Sequence, residues 1–160
     1  MTKQDKKRMR GFSRVVHLID RIGKEISRND EMRVVEAFNE HCPHREKIPW
    51  IKSVRQATER EDALKIDIVV DTTDVGVILL QIKGSDWGLN KFAKQQMRGE
   101  ANLEIIALVI NPVMDHEEIF RRVLKLISHE RRIRLAQFER QHRQALEELE
   151  TKAFPPTTTT

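Results

Sequence analysis

Branched aliphatic residues fall in two dense runs between Leu64 and Ser85, LKIDIVVDTTDVGVILLQIKGS, separated by Asp71, Thr72, Thr73, Asp74 and Gly76. Runs of this kind, bounded by turn residues, predict two adjacent antiparallel strands joined by a short loop. Three polar side chains interrupt the apolar pattern: Asp67 in the first run, Gln81 and Lys83 in the second. Side chains alternate faces along a strand, so Gln81 and Lys83 share a face with Val77 and Leu79. Charged groups on a half-buried face cost free energy unless they are paired or hold a metal. A metal-dependent site is one reason for three of them in one hairpin.

Upstream, Val15, Val16, Leu18, Ile19 and Ile22 form a helical stripe that Ser13 can cap. A second helix is predicted after Asn29 or Asp30, running through MRVVEAFNEH and stopping before Pro43. Met32, Val34, Val35, Phe38 and Cys42 fall on one arc of it, with Glu36 at the margin, from where it can point across the sheet at a site. His41, Cys42 and His44 cluster tightly, but a closed zinc site takes four ligands from two separated pairs. No second cluster exists, so that segment reads as a loop. Trp50–Thr58 predicts a strand that leads through a charged turn, Glu59 to Asp62, into the hairpin.

Downstream, Gly84 breaks the strand and Ser85 or Asp86 can cap a helix ending near Gly99. That helix exposes Lys91, Lys94, Gln95 and Arg98 roughly on one face. Leu103–Ile110, LEIIALVI, has the near-continuous apolarity of a strand buried on both faces, set parallel to a neighbour by the helical crossover before it. From Asp115 to Pro155 the chain is helical, with Ile119, Phe120, Val123, Leu124 and Ile127 available to pack on the sheet. Apolar positions then thin out among charges, so the far half projects from the core, as an oligomer contact or folded back on the first helices.

The divisions that follow are a basic flexible arm over 1–12, a core domain over 13–128, a helical extension over 129–152 and a disordered tail over 153–160. One cysteine in 160 residues excludes an intrachain disulfide and suits a reducing cytoplasm. No apolar run approaches the ~20 residues that cross a bilayer, and no signal-peptide core follows the basic N-terminus, so no membrane partner is expected. A net charge of +4 is compatible with a nucleic-acid partner and no more than that.

The order is helix, three strands, helix, strand, long helix, with an acid in the second strand and Gln-x-Lys in the third. In this it resembles the PD-(D/E)XK, restriction-endonuclease-like nuclease superfamily, and ALKIDIVVDTTDVGVILLQIKGS looks most like the short Holliday-junction resolvases. The resemblance covers about residues 30 to 128 and implies an α/β fold with an αβββαβ core, a mixed central sheet and a long C-terminal helix. It implies a Mg²⁺-dependent endonuclease (Mn²⁺ substituting) that hydrolyses DNA, with branched or junction DNA a possible target and a homodimer the expected assembly. Asp67 would then be the metal-bridging carboxylate, Lys83 the group that orients or activates water, and Glu36 the first-helix glutamate. Gln81 stands where the superfamily usually has Asp or Glu, which removes a negative charge. Lys91, Lys94, Gln95 and Arg98 would form the wall nearest the phosphates. Asp71 competes with Asp67, and Glu61 and Asp62 are further alternatives. The departure at Gln81 also keeps open a catalytically weak fold that binds nucleic acid or serves as an assembly subunit.

Overall fold

The computed structural model describes residues 25–41 and 48–153. The expected basic arm, the Val15 to Ile22 stripe, Cys42, His44 and the tail from 154 onward lie outside the described residues. The elements are α1 (residues 25–41), β1 Ile51–Gln56, α2 Glu59–Ala63, β2 Ile68–Thr72, β3 Val77–Lys83, α3 Asp86–Met97, β4 Ile105–Val109 and α4 His116–Ala153.

The hairpin forms where the aliphatic runs placed it. β2 and β3 pair antiparallel from Ile68↔Leu80 to Asp71↔Val77. Gly76 takes a φ of +76°, a conformation open to glycine because it lacks a Cβ. Thr72 closes the turn, donating its hydroxyl to the Gly76 carbonyl at 2.5 Å and accepting from the Val75 N–H at 3.2 Å. β1 adds antiparallel to β2, and β4 adds parallel to β3 after the α3 crossover. The result is an α/β fold with a four-stranded mixed open sheet in the order β1-β2-β3-β4 and a long C-terminal helix. β4 is therefore an edge strand, and Ile106, Ala107 and Val109 are only half buried.

The two faces of the sheet are unequal. On one, Val34, Ala37 and Phe38 of α1 and Ile119, Val123 and Ile127 of α4 pack on Ile68, Val70, Ile78, Leu80, Ile82, Leu108 and Ile110. On the other, α3 contributes mainly Phe92, against Ile66, Val69 and Ile105. Burial of apolar area drives both contacts, and the thinner face leaves room for polar residues near β2 and β3.

Two features departed from the expected outline. The charged turn after β1 is a helical turn, α2, held by a reciprocal capping box: Thr58 caps the Glu61 N–H and Glu61 accepts from the Thr58 N–H at 2.8 Å. Arg55 clamps the same Glu61 carboxylate with two bonds of 2.8 Å. α4, in turn, stays packed on the core as far as Leu135, beyond residue 128. Arg131 grips Asp74 and lies 5.0 Å over the Trp50 ring, and Arg134 donates to the Val77 carbonyl at 2.7 Å. Past this point Phe138, Leu146 and Leu149 are exposed. No helix among the described residues is long and apolar enough to cross a membrane.

Stability should follow this division. Ile78→Ala, at a fully buried position, should cost about 2–5 kcal/mol in urea unfolding. Leu149→Ala should stay within about 0.5 kcal/mol, and a comparable loss there would mean that the far end of α4 belongs to the core.

Candidate functional site

Asp67 stands one residue before β2, directly across from Gln81 in the antiparallel register, and both side chains are buried. The Asp67 N–H donates to the Leu80 carbonyl at 2.8 Å, which continues the ladder by main chain alone. Its carboxylate then takes over from the strand. Oδ2 accepts the Ile82 N–H at 2.6 Å and a bond from the Gln81 side-chain amide. No ion pair joins Asp67 to Lys83 among the described residues, so the simplest structural explanation for the trio, a salt bridge with Gln81 idle, is not what holds it. Gln81 is the group bonded to the carboxylate.

That bond orients the amide. With its nitrogen on Asp67, Gln81 Oε1 is buried and has no hydrogen-bond partner. An orphaned buried acceptor costs ~1–3 kcal/mol. A donor or a cation would relieve it. Lys83, the last residue of β3, extends over the Phe92 ring, its Nζ 5.4 Å from the centroid.

These side chains line an open cleft of about 410 Å³ together with Asp62, Lys65, Trp87, Gly88, Lys91 and Gln95. Asp62 also borders a neighbouring cavity of about 350 Å³, which Glu31 and Arg28 of α1 line. Burial dominates the electrostatics. It pushes the Asp67 carboxyl up to about 6, with Asp62 adding to the rise, while the Ile82 N–H, Lys83 and Gln81 oppose it. Burial likewise lowers Lys83, opposed by Asp67 and Glu31 and assisted by Lys65 and Lys91. Glu31 rises to about 7, from burial first and then from Asp67 and Asp62. The site is thus a cluster in which burial raises two acids, Asp67 and Glu31, and lowers one lysine, Lys83.

The α1 carboxylate coupled to this cluster is Glu31, not Glu36. Glu36 is exposed, 3.8 Å from His116, which also bonds Glu40 at 2.6 Å. The reason is helical phase. Val34, Ala37 and Phe38 face the sheet, whereas Met32 is 47% exposed, and Glu36 lies about 200° round from Val34 at ~100° per residue. Glu31, three before Val34 and seven before Phe38, is on the buried side, and that spacing is the signal that could have found it.

α3 divides similarly. Lys91 and Gln95 line the cleft, but Lys94 and Arg98 are exposed elsewhere on the helix. Trp87 and Lys65 are cleft residues that pattern reasoning passed over. Lys65 has a φ of +67°, in the position after α2 where glycine is usual, at a cost of ~1–2 kcal/mol. Asp71 is not among the residues lining the cleft, and Glu61 is engaged by Arg55 and Thr58.

Among the described residues no three His, Cys, Asp or Glu side chains gather as a metal site. The buried oxygen donors on hand are the Asp67 carboxylate and Gln81 Oε1, with the Asp62 carboxylate also on the cleft wall. Such a pair suits magnesium, which takes one or two protein oxygens and keeps several waters, and does not suit a closed zinc site. No family model, curated protein or solved structure matches the chain.

The raised acids make stability pH-dependent. A carboxyl whose folded pKa exceeds its unfolded value favours the fold below the unfolded pKa, and that contribution is lost as pH rises through the folded one. For Asp67 the window runs from its ordinary 3.8 to about 6. Asp67→Asn should therefore be more stable than wild type by about 1–3 kcal/mol near pH 7.5, with the gap closing toward pH 4. Urea unfolding at both pH values checks this, and a gap independent of pH would contradict it.

Proposed function

We propose that the protein is a magnesium-dependent nuclease of the PD-(D/E)XK type, with a restriction-endonuclease-like fold, hydrolysing phosphodiester bonds in DNA. The observation that carries this reading is the buried Asp67 carboxylate opening on a lysine-lined cleft, with the orphaned Gln81 oxygen beside it. A hydrocarbon-like core does not keep such a trio without a use for it. Asp67 and Gln81 Oε1 would hold the ion, with waters and a substrate phosphate completing its shell. When bound, it supplies charge neutralisation at the phosphate and a more acidic water.

The chain's own residues do the rest. Asp67 is fixed by the Ile82 N–H, so its lone pairs are set before substrate arrives. The Lys83 ammonium, resting on Phe92, provides donors and positive charge where the phosphorane oxygens gain negative charge. As water adds to phosphorus and the P–O bond to the leaving oxygen breaks, the water's proton passes to solvent in the open cleft and the leaving oxygen is protonated from it; Glu31, in the adjoining cavity, acts on Asp67 through its charge. Lys65 and Lys91 hold the flanking phosphates by charge. A homodimer would place two such clefts across a two-fold axis, as a symmetric junction cut requires.

One observation favours the second reading, a nuclease-like fold that binds without cutting. Gln81 contributes no charge where an acid would, and its amide nitrogen is turned toward Asp67.

Cleavage of labelled linear, flapped and four-way-junction DNA with Mg²⁺ or Mn²⁺ separates the two. Wild type should cut, and Lys83→Ala should cut about 10²–10³-fold more slowly with an unchanged circular dichroism spectrum. Binding without cutting by wild type would select the second reading, and full activity in Lys83→Ala would remove Lys83 from the chemistry.

A further inference from the structure

Trp87 is the second residue of α3 and 73% exposed. An indole is costly to leave in water, and the chain's other tryptophan is treated differently: Trp50 packs on the core and lies beneath Arg131. Other apolar side chains are also exposed, among them Met97 and Val113, but neither lines the cleft. Trp87 does, along with Asp67, Gln81 and Lys83. One turn along, Lys91 Nζ sits 5.3 Å from the Trp87 ring centroid, and Gln95 continues the same ridge.

Resting on the phosphodiesterase reading, we infer that Trp87 is a stacking platform for an unpaired base. The preferred substrate is then nucleic acid with a single-stranded nucleotide next to the bond that is cut. An exposed ring among ammonium groups is the composition that binds single strands: the cations follow the backbone, and the ring takes any base because every base has a π-face. Within a duplex both faces of a base are covered by its neighbours, so the ring gains contact only where a base is unstacked. Lys65, held in a conformation better suited to glycine, adds a further ammonium to the same cleft. The Gln95 amide is placed to hydrogen-bond a base edge or sugar on that ridge. An acidic peptide would satisfy the lysines equally well, so the ring is the feature to test.

Trp50→Phe leaves Trp87 as the only indole of the full chain. That protein, in EDTA, is titrated with an oligothymidylate of roughly 12 nucleotides and with a blunt duplex of similar length. The single strand should quench Trp87 emission and bind more tightly than the duplex. In the wild-type background, followed by anisotropy of labelled DNA, Trp87→Ala should weaken single-strand binding about 10-fold and change duplex binding less than about 2-fold. Trp87→Phe should recover most of the loss, which a merely structural role for the indole would not produce. Single-strand binding without quenching, or equal losses for both DNAs, would overturn the stacking role while leaving phosphodiester cleavage intact. Failure to bind either DNA, in EDTA and again with Ca²⁺ in its place, would sink both readings together.

Discussion

Everything at the site depends on a carboxylate taken out of water without a full counter-charge. Asp67 is 4% exposed and carries no ion pair among the described residues; a main-chain N–H and a neutral amide hold it. Desolvation outweighs those bonds and raises its pKa to about 6, a penalty on the order of 2–3 kcal/mol at neutral pH. The same burial lowers Lys83 and, with Asp67 and Asp62 adding, raises Glu31. The cluster is consequently short of positive charge on the carboxylate side and of a donor at Gln81 Oε1. A hard cation bound at this end of the cleft would answer both deficits, provided the Gln81 amide gave up its bond to Asp67 and offered its oxygen.

The unequal faces of the sheet make this arrangement possible. The heavy hydrophobic layer formed by α1 and α4 lies on one side, where Ile68, Val70, Ile78 and Leu80 are wholly buried. Because alternate residues turn the other way, Asp67, Gln81 and Lys83 fall on the side covered only by α3. Phe92 supplies a small apolar floor there, and Lys83 lies along it. The main hydrophobic layer and the polar trio thus lie on opposite faces of the same two strands, with Glu31 of α1 coupled to Asp67 by charge.

Much of this was legible in the sequence because it rests on local periodicity. Alternation in ALKIDIVVDTTDVGVILLQIKGS fixes the hairpin and places Asp67, Gln81 and Lys83 together; Ser85 marks the start of α3, and LEIIALVI marks β4. What escaped depends on phase or on shapes too short to have a period. α2 is a single turn, visible only through the Thr58-x-x-Glu61 box. Counting Met32 as a core residue rotated the α1 stripe toward Glu36, whereas Ala37, small but fully buried, sets the true phase and brings in Glu31. Lys65 offers no signal at all, since a lysine in a left-handed conformation contradicts local preference. Trp87 could equally have been a core residue, and only the fold shows it at the rim of the cleft.

If Asp67 and Gln81 together hold a cation, metal affinity should follow the charge at these two positions. Calorimetric titration of Mn²⁺ into wild type, Gln81→Glu and Asp67→Asn near pH 7.5 tests it most directly, independent of any substrate. Wild type should bind weakly, Gln81→Glu about 10-fold more tightly as the site gains a negative charge, and Asp67→Asn not at all. Heats that are the same for all three proteins would contradict it.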